Sequence, residues 1–351
     1  MPPVAPAPSP PQNSVKLEDA KRDLVLFAAQ VKNRKEGNED LIGSLDALAK
    51  NFFNLVPGDP PPPLAADANE AAKKVHDAQQ KEHEAEVREH PKAVRDYQDS
   101  ALDLMFKGLR AVVINPKVKD ENARNDVNLK AAQVLGDVLS SPLLGACREP
   151  KEVEKLREKT SNELRGILAG ELEEPKQEYL VPVAVLEAAF AALGRIDDLK
   201  SLAWLLEHYA HTNNSQSMTE RLKSAHKAMI LFKGRDEKPP GVPGKLRYAV
   251  VEKFITLYSS AEARAGSAAP SGGTPAQKSA AAAAKKFWDD VKTDTIAVVK
   301  YYATPPGGVA PLNAEGQEAT SLKELNEWWS KHDKPNRAPW LDEKIVDKPA
   351  K

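Results

Sequence analysis

The chain of 351 residues contains one cysteine, Cys147, and that scarcity excludes an intrachain disulfide and any metal centre built from several thiolates. No apolar run approaches the roughly 20 residues that cross a bilayer as a helix. Alternation of apolar and polar residues with β-branched enrichment is missing, so no sheet is expected. Neither sign of charge is in excess, with 50 Lys plus Arg against 51 Asp plus Glu. Without a global basic field, nucleic acid and anionic lipid are not expected partners. Catalytic signatures are also lacking. Cys147 sits in SPLLGACREP, which reads as a loop, and no serine has an elbow around it. GVPGK at 241–245 lacks the phosphate-loop spacing and a preceding strand, so it reads as a turn, and no cofactor motif is found.

What the chain does have is helical periodicity. Across 180–233 apolar residues recur every three or four positions, through Val185, Leu186, Ala189, Phe190 and Leu193, then Leu199, Leu202, Leu206 and Tyr209, then Leu222, Ala225 and Met229. This is the period of helices that share one apolar face, and it predicts two antiparallel helices with a third close behind. Gly194 is expected to end the first helix at positive φ, and Asp197 or Asp198 to cap the second. The same spacing predicts helices over 14–35, 39–55, 68–89, 91–113, 121–140, 151–169, 218–233, 244–262 and 322–332, with Pro91 at the first position of its helix. Two capping boxes, Ser217 with Glu220 and Ser321 with Glu324, mark starts. The expected fold class is therefore all-α.

The run ALGRIDDLKSLAWLL, and less closely RNDVNLKAAQVLGDVL, resembles the helix and turn of a HEAT-like repeat. The two Leu-Gly pairs stand 58 residues apart, longer than one such unit, and the resemblance covers about half the chain. It implies an irregular α-solenoid or helical-hairpin array, whose concave surface would bind other proteins. The organisation that follows is a disordered Pro/Ala-rich tail at 1–13, a helical hairpin at 14–55, a Pro-rich linker at 56–69, a HEAT-like core at 70–262, a flexible linker at 263–280 and an aromatic-rich helical segment at 281–351. The linker at 56–69 contains VPGDPPPPL, which reads as a spacer in preference to a proline-recognition ligand. A Pro/Ala-rich start also suits the mature end of an exported protein, so cytoplasmic and exported locations both stand.

Candidate site residues are few. His76, His83 and His90 recur every seven positions, about 10.5 Å apart along a helix, too far to share one metal ion. They are expected on a solvated charged face. His208 and His211, three apart with Glu207 beside them, are the better metal pair, although two histidines fall short of a ligand set. Trp204 shares their side of the helix, where it either packs beneath the next repeat or offers a partner an anchor. His226 is expected at the edge of the core. Trp328, Trp329 and Trp340, with Phe287, Trp288, Tyr301 and Tyr302, concentrate aromatics at the C-terminal end, suited to docking on the helical body or to anchoring a partner. The leading functional expectation is a non-enzymatic scaffold for protein–protein interaction. Its alternatives are a helical-bundle enzyme or metal-binding protein using His208 and His211, and a self-assembling envelope or coat-type structural protein.

Overall fold

A computed structural model of the chain describes residues 15–33, 38–65, 69–114, 121–169, 183–210, 219–235, 237, 241–267, 273–304 and 312–333. The protein is all-α, with twelve helices among the described residues. Two strands of two residues each, β1 (Val15–Lys16) and β2 (Leu55–Val56), pair in parallel. No described helix is long and apolar enough to cross a membrane. The chain divides into two compact units, Met1–Val153 and Glu154–Lys351.

In the first unit, α1 (Leu17–Asn33) and α2 (Asn38–Asn51) form the expected hairpin. Leu17, Ala20 and Phe27 are buried on α1, and Leu41, Leu45 and Leu48 on α2. The Ser44 hydroxyl donates to Gln30 at 2.7 Å and the Asn51 amide to Asp23 at 3.0 Å, which fixes the antiparallel register. Helix α3 (Glu70–Ile114) then runs unbroken for 45 residues. The sequence predicted two helices meeting at Pro91. The helix continues because the carbonyl deprived of a donor by Pro91 belongs to Val87, an exposed residue where water can satisfy it. Good helix formers on both sides do the rest. The second half of α3 buries Tyr97, Ala101, Met105 and Leu109, and α4 (Glu121–Ser140) contributes Val127, Ala131, Leu135 and Leu139. Gly136 lies inside α4, so no turn occurs there.

The SPLLGACREP segment is not all loop. Pro142–Cys147 forms a short helix, α5, because the Ser141 side chain accepts from the Leu143 N–H and Pro142 is pre-set for a first turn. The chain then carries Arg148 into the core. Its Nε donates to Gln98 at 3.0 Å, its guanidinium reaches the Arg95 carbonyl at 3.2 Å, and Asp99 pairs with it at 3.0 Å. Gln98 in turn donates to the Phe52 carbonyl at 2.9 Å. This buried charge is thus paired and hydrogen-bonded, the condition on which burial is tolerated.

Helix α6 (Pro150–Ala169) spans the boundary between the units. In the second unit α7 (Val183–Ile196) is apolar nearly all round, and Val185, Leu186, Ala189, Phe190, Leu193 and Ile196 are buried. A helix of that kind belongs at the centre. Around it stand α8 (Leu199–Tyr209) and α9 (Thr219–Met229). Ser217 of the first capping box lies outside the described residues.

In the expected flexible linker at 263–280, residues 263–267 and 275–280 are helical. Helix α10 (Gly244–Ser267) continues past 262 and buries Ala261 and Ala265, while α11 (Pro275–Ala303) starts with a full capping box, Thr274 with Gln277. Small alanines read as low complexity in sequence, but they are strong helix formers that let two helices approach closely. The two helices are antiparallel, since the Arg264 guanidinium lies 5.1 Å from the Trp288 ring and Arg247 Nε donates to the Tyr302 carbonyl at 3.0 Å. Tyr302 and Tyr301 donate, each at 2.6 Å, to the carbonyls of Met229 and Phe232, satisfying acceptors at and beyond the end of α9. Residues 281–303 of the segment expected to be tethered are therefore packed within their unit. Helix α12 (Leu322–Asp333) completes it, and the predicted Ser321–Glu324 box is present, with Ser321 N–H donating to Glu324 at 3.0 Å and Glu324 N–H to Ser321 at 3.3 Å.

Candidate functional site

Helix α8 carries the best-placed candidates, and its position is set at its first turn. Asp198 is the N-cap, accepting from the Lys200 N–H at 3.2 Å and the Ser201 hydroxyl at 2.9 Å. Asp197 does something the sequence did not show. Its backbone takes the left-handed conformation, φ 66°, and its side chain is only 1% exposed. There the carboxylate accepts three backbone N–H groups beyond α9, from Lys233 at 2.7 Å and from Gly234 and Arg235 at 2.9 Å each. One aspartate thus ties the α7–α8 turn to a second turn 36–38 residues later.

Gly194 also departs from expectation. It lies inside α7, and the positive φ belongs to Asp197 three residues on. Glycine is needed because α9 passes so close that a Cβ would stand 2.5 Å from the Ala228 carbonyl oxygen and 2.8 Å from Leu231 Cβ. Alanine would gain about 1 kcal/mol of helix propensity but must force α7 and α9 apart. We expect Gly194→Ala to destabilise the protein by about 2 kcal/mol in denaturant melts. A stabilised variant would show that the two helices do not approach so closely.

Trp204, Glu207 and His208 lie on one side of α8, spaced three and four apart. Glu207 and His208 are exposed and Trp204 is half-buried, neither sandwiched under a further helix nor open on all sides. Its indole rests on its own helix, 4.9 Å from the His208 ring and 5.7 Å from that of Tyr209, which is buried. A loss of about 1–2 kcal/mol on Trp204→Ala is expected by the same melts, between the values for a core aromatic and a surface residue. His211, the other half of the expected pair, lies outside the described residues.

The C-terminal tryptophans are engaged within the chain. Trp328 and Trp329 are each 9% exposed, and the Trp329 ring lies 5.0 Å from that of Tyr248 on α10. Most of their area is buried within the unit. Trp340 lies outside the described residues. His226 is wholly buried, deeper than the core edge expected for it, with its Nε2 donating to the Tyr209 carbonyl at 3.0 Å and its Nδ1 unpartnered. Burial pushes its pKa down to about 4.

The histidines spaced by seven are not simply solvated. On the exposed first half of α3, His76, Gln80, His83 and His90 are half-buried while most of their neighbours are exposed. β2 and the chain just after it meet this half of α3, with His90 Nε2 3.3 Å from the Leu55 carbonyl and the Gly58 N–H donating to Glu86 at 2.8 Å. Of the three histidines only His90 reaches that segment, through the Leu55 carbonyl, while the buried His83 Nδ1 has no hydrogen-bond partner. Among the described residues, no group of three His, Cys, Asp or Glu side chains is arranged to hold a metal ion. Comparison with protein-family models, with curated proteins and with solved structures finds no match to this chain.

Proposed function

We propose that the protein is a non-enzymatic helical scaffold for protein–protein interaction, in which the hairpins of the second unit act as a degenerate HEAT-like array and the outer face of α8 receives a partner. One observation carries the reading. A half-buried tryptophan, backed by Tyr209 and flanked by exposed Glu207 and His208, stands on a helix whose start is pinned by Asp197 and Asp198. Tryptophan on a rigid support, ringed by polar groups, is the composition of an interaction hot spot. Its apolar ring is already part-desolvated, so a partner loses little conformational entropy in covering it.

The test is affinity capture with the full chain as bait, followed by identification of the captured protein and titration of that protein, purified, against wild type and Trp204→Ala. Retained folding with affinity reduced by at least tenfold supports the reading. Equal affinity for both proteins removes α8 from it. Light scattering over a concentration series and metal analysis of the same preparation address the self-assembly and metal-binding alternatives.

A further inference from the structure

The segment after β2 does more than connect. Residues 59–62 each precede a proline, which bars them from helical angles, and Pro60–Pro63 have φ fixed near −65°, so Asp59–Leu64 is a polyproline II strip. Such a helix has three residues per turn and therefore three edges. Pro61, three residues after Gly58, stands on one edge, and there that edge is turned to the protein. Gly58 and Pro61 are half-buried, Leu64 is 38% exposed, and a Cβ at Gly58 would stand 3.0 Å from a Glu86 carboxylate oxygen. The other two edges, Pro60 with Pro63 and Asp59 with Pro62, are exposed along their length.

The strip is held at its N-terminal end. The Gly58 N–H bonds Glu86, the Asp59 carboxylate pairs with Lys16, and the Leu55 carbonyl meets His90. With no N–H on any of them, its four prolines offer a partner pyrrolidine faces and carbonyl acceptors. Those are the features read by grooves lined with tryptophan and tyrosine, whose rings pack on proline and whose N–H and O–H groups donate to the carbonyls. An anchored strip binds without first having to be ordered.

We propose that Asp59–Leu64 is a ligand for a protein domain with an aromatic-lined, polyproline-binding groove, and that its two outward edges are the surface read. This strip belongs to the first unit and the α8 face to the second, so either assignment can fail while the other stands. The test uses the full chain and two purified readers of known groove, an isotopically labelled WW domain and an SH3 domain, titrated by nuclear magnetic resonance. At least one is expected to bind with a dissociation constant of tens to hundreds of micromolar, with shifts concentrated at its groove aromatics. The double variant Pro60→Ala/Pro63→Ala should weaken that binding at least tenfold, and Pro61→Ala, on the inward edge, no more than about threefold. Absence of binding to both domains, or binding indifferent to the double variant, overturns the proposal. Circular dichroism of the variants, whose changed residues lie outside every helix, checks that the helices are intact.

Discussion

Asp197→Ala is expected to lower the stability of the protein by about 4 kcal/mol, measured as the shift of the urea midpoint at constant slope. Two costs add. Alanine at positive φ is strained by about 1–2 kcal/mol, a penalty that aspartate tolerates better because its short polar side chain bonds locally. The three N–H groups of Lys233, Gly234 and Arg235 also lose a charged acceptor, and hydrogen bonds to charged groups are worth about 1.5–3 kcal/mol each where water cannot replace them. The Gly234 N–H bond is buried and the other two are partly open to water, which holds the sum below the simple total. Asp197→Asn separates the costs. Its Oδ1 can still accept from Lys233 and Gly234 and its backbone still tolerates the conformation, so about half the loss is expected. A loss under about 1 kcal/mol for Asp197→Ala would mean that this carboxylate does not join the two turns.

Acid should weaken the fold through His226. With a folded pKa of about 4 against an ordinary value near 6.5, the folded protein binds this proton less readily than the unfolded chain does. The sign follows directly. Stability from the neutral ring is fully present above pH 6.5, falls as pH drops through the window from 6.5 to 4, and levels off below it. The gap of about 2.5 units corresponds to about 3 kcal/mol, to order of magnitude. Burial is the cause, and the bond to the Tyr209 carbonyl opposes it only in part. That bond leaves the Nδ1 lone pair without a donor among the apolar side chains, the Phe254 ring 4.8 Å away included, so a proton arriving there finds no acceptor. Urea melts of wild type and His226→Leu between pH 7.5 and 5 isolate the effect, because the carboxylates contribute to both proteins alike. Parallel pH profiles, or a His226 ring titrating near 6.5 by nuclear magnetic resonance, would contradict it.

Most of the helices were legible because their cause is local. Helix α7 announces itself through apolar residues on every side, α12 through Ser321 and Glu324, and α11 has a box at Thr274 that the surrounding small residues obscured. Pro91 and the 263–280 stretch misled for a shared reason. A proline or a run of alanine and serine biases a segment, but neighbours in space decide the outcome, here the solvent over Val87 and the face of α10 under α11.

The candidate site divides the same way. Spacing alone put Trp204, Glu207 and His208 on one side of a helix, since three and four residues are a fixed rotation. It also offered Asp197 and Asp198 as equivalent caps. Only the return of the chain beyond α9 made Asp198 the cap and Asp197 the tie, because the partners of Asp197 lie 36–38 residues away and no local pattern records them. Gly194 required glycine for the approach of α9, not for a turn. His90 found its partner in the Leu55 carbonyl of β2, and Trp329 found its own in Tyr248. Sequence by itself determined which segments coil and which faces are apolar, for these depend on propensity and period. Which apolar face meets which, and which aromatic is left half-buried, was decided by tertiary structure, because burial is a property of pairs of segments.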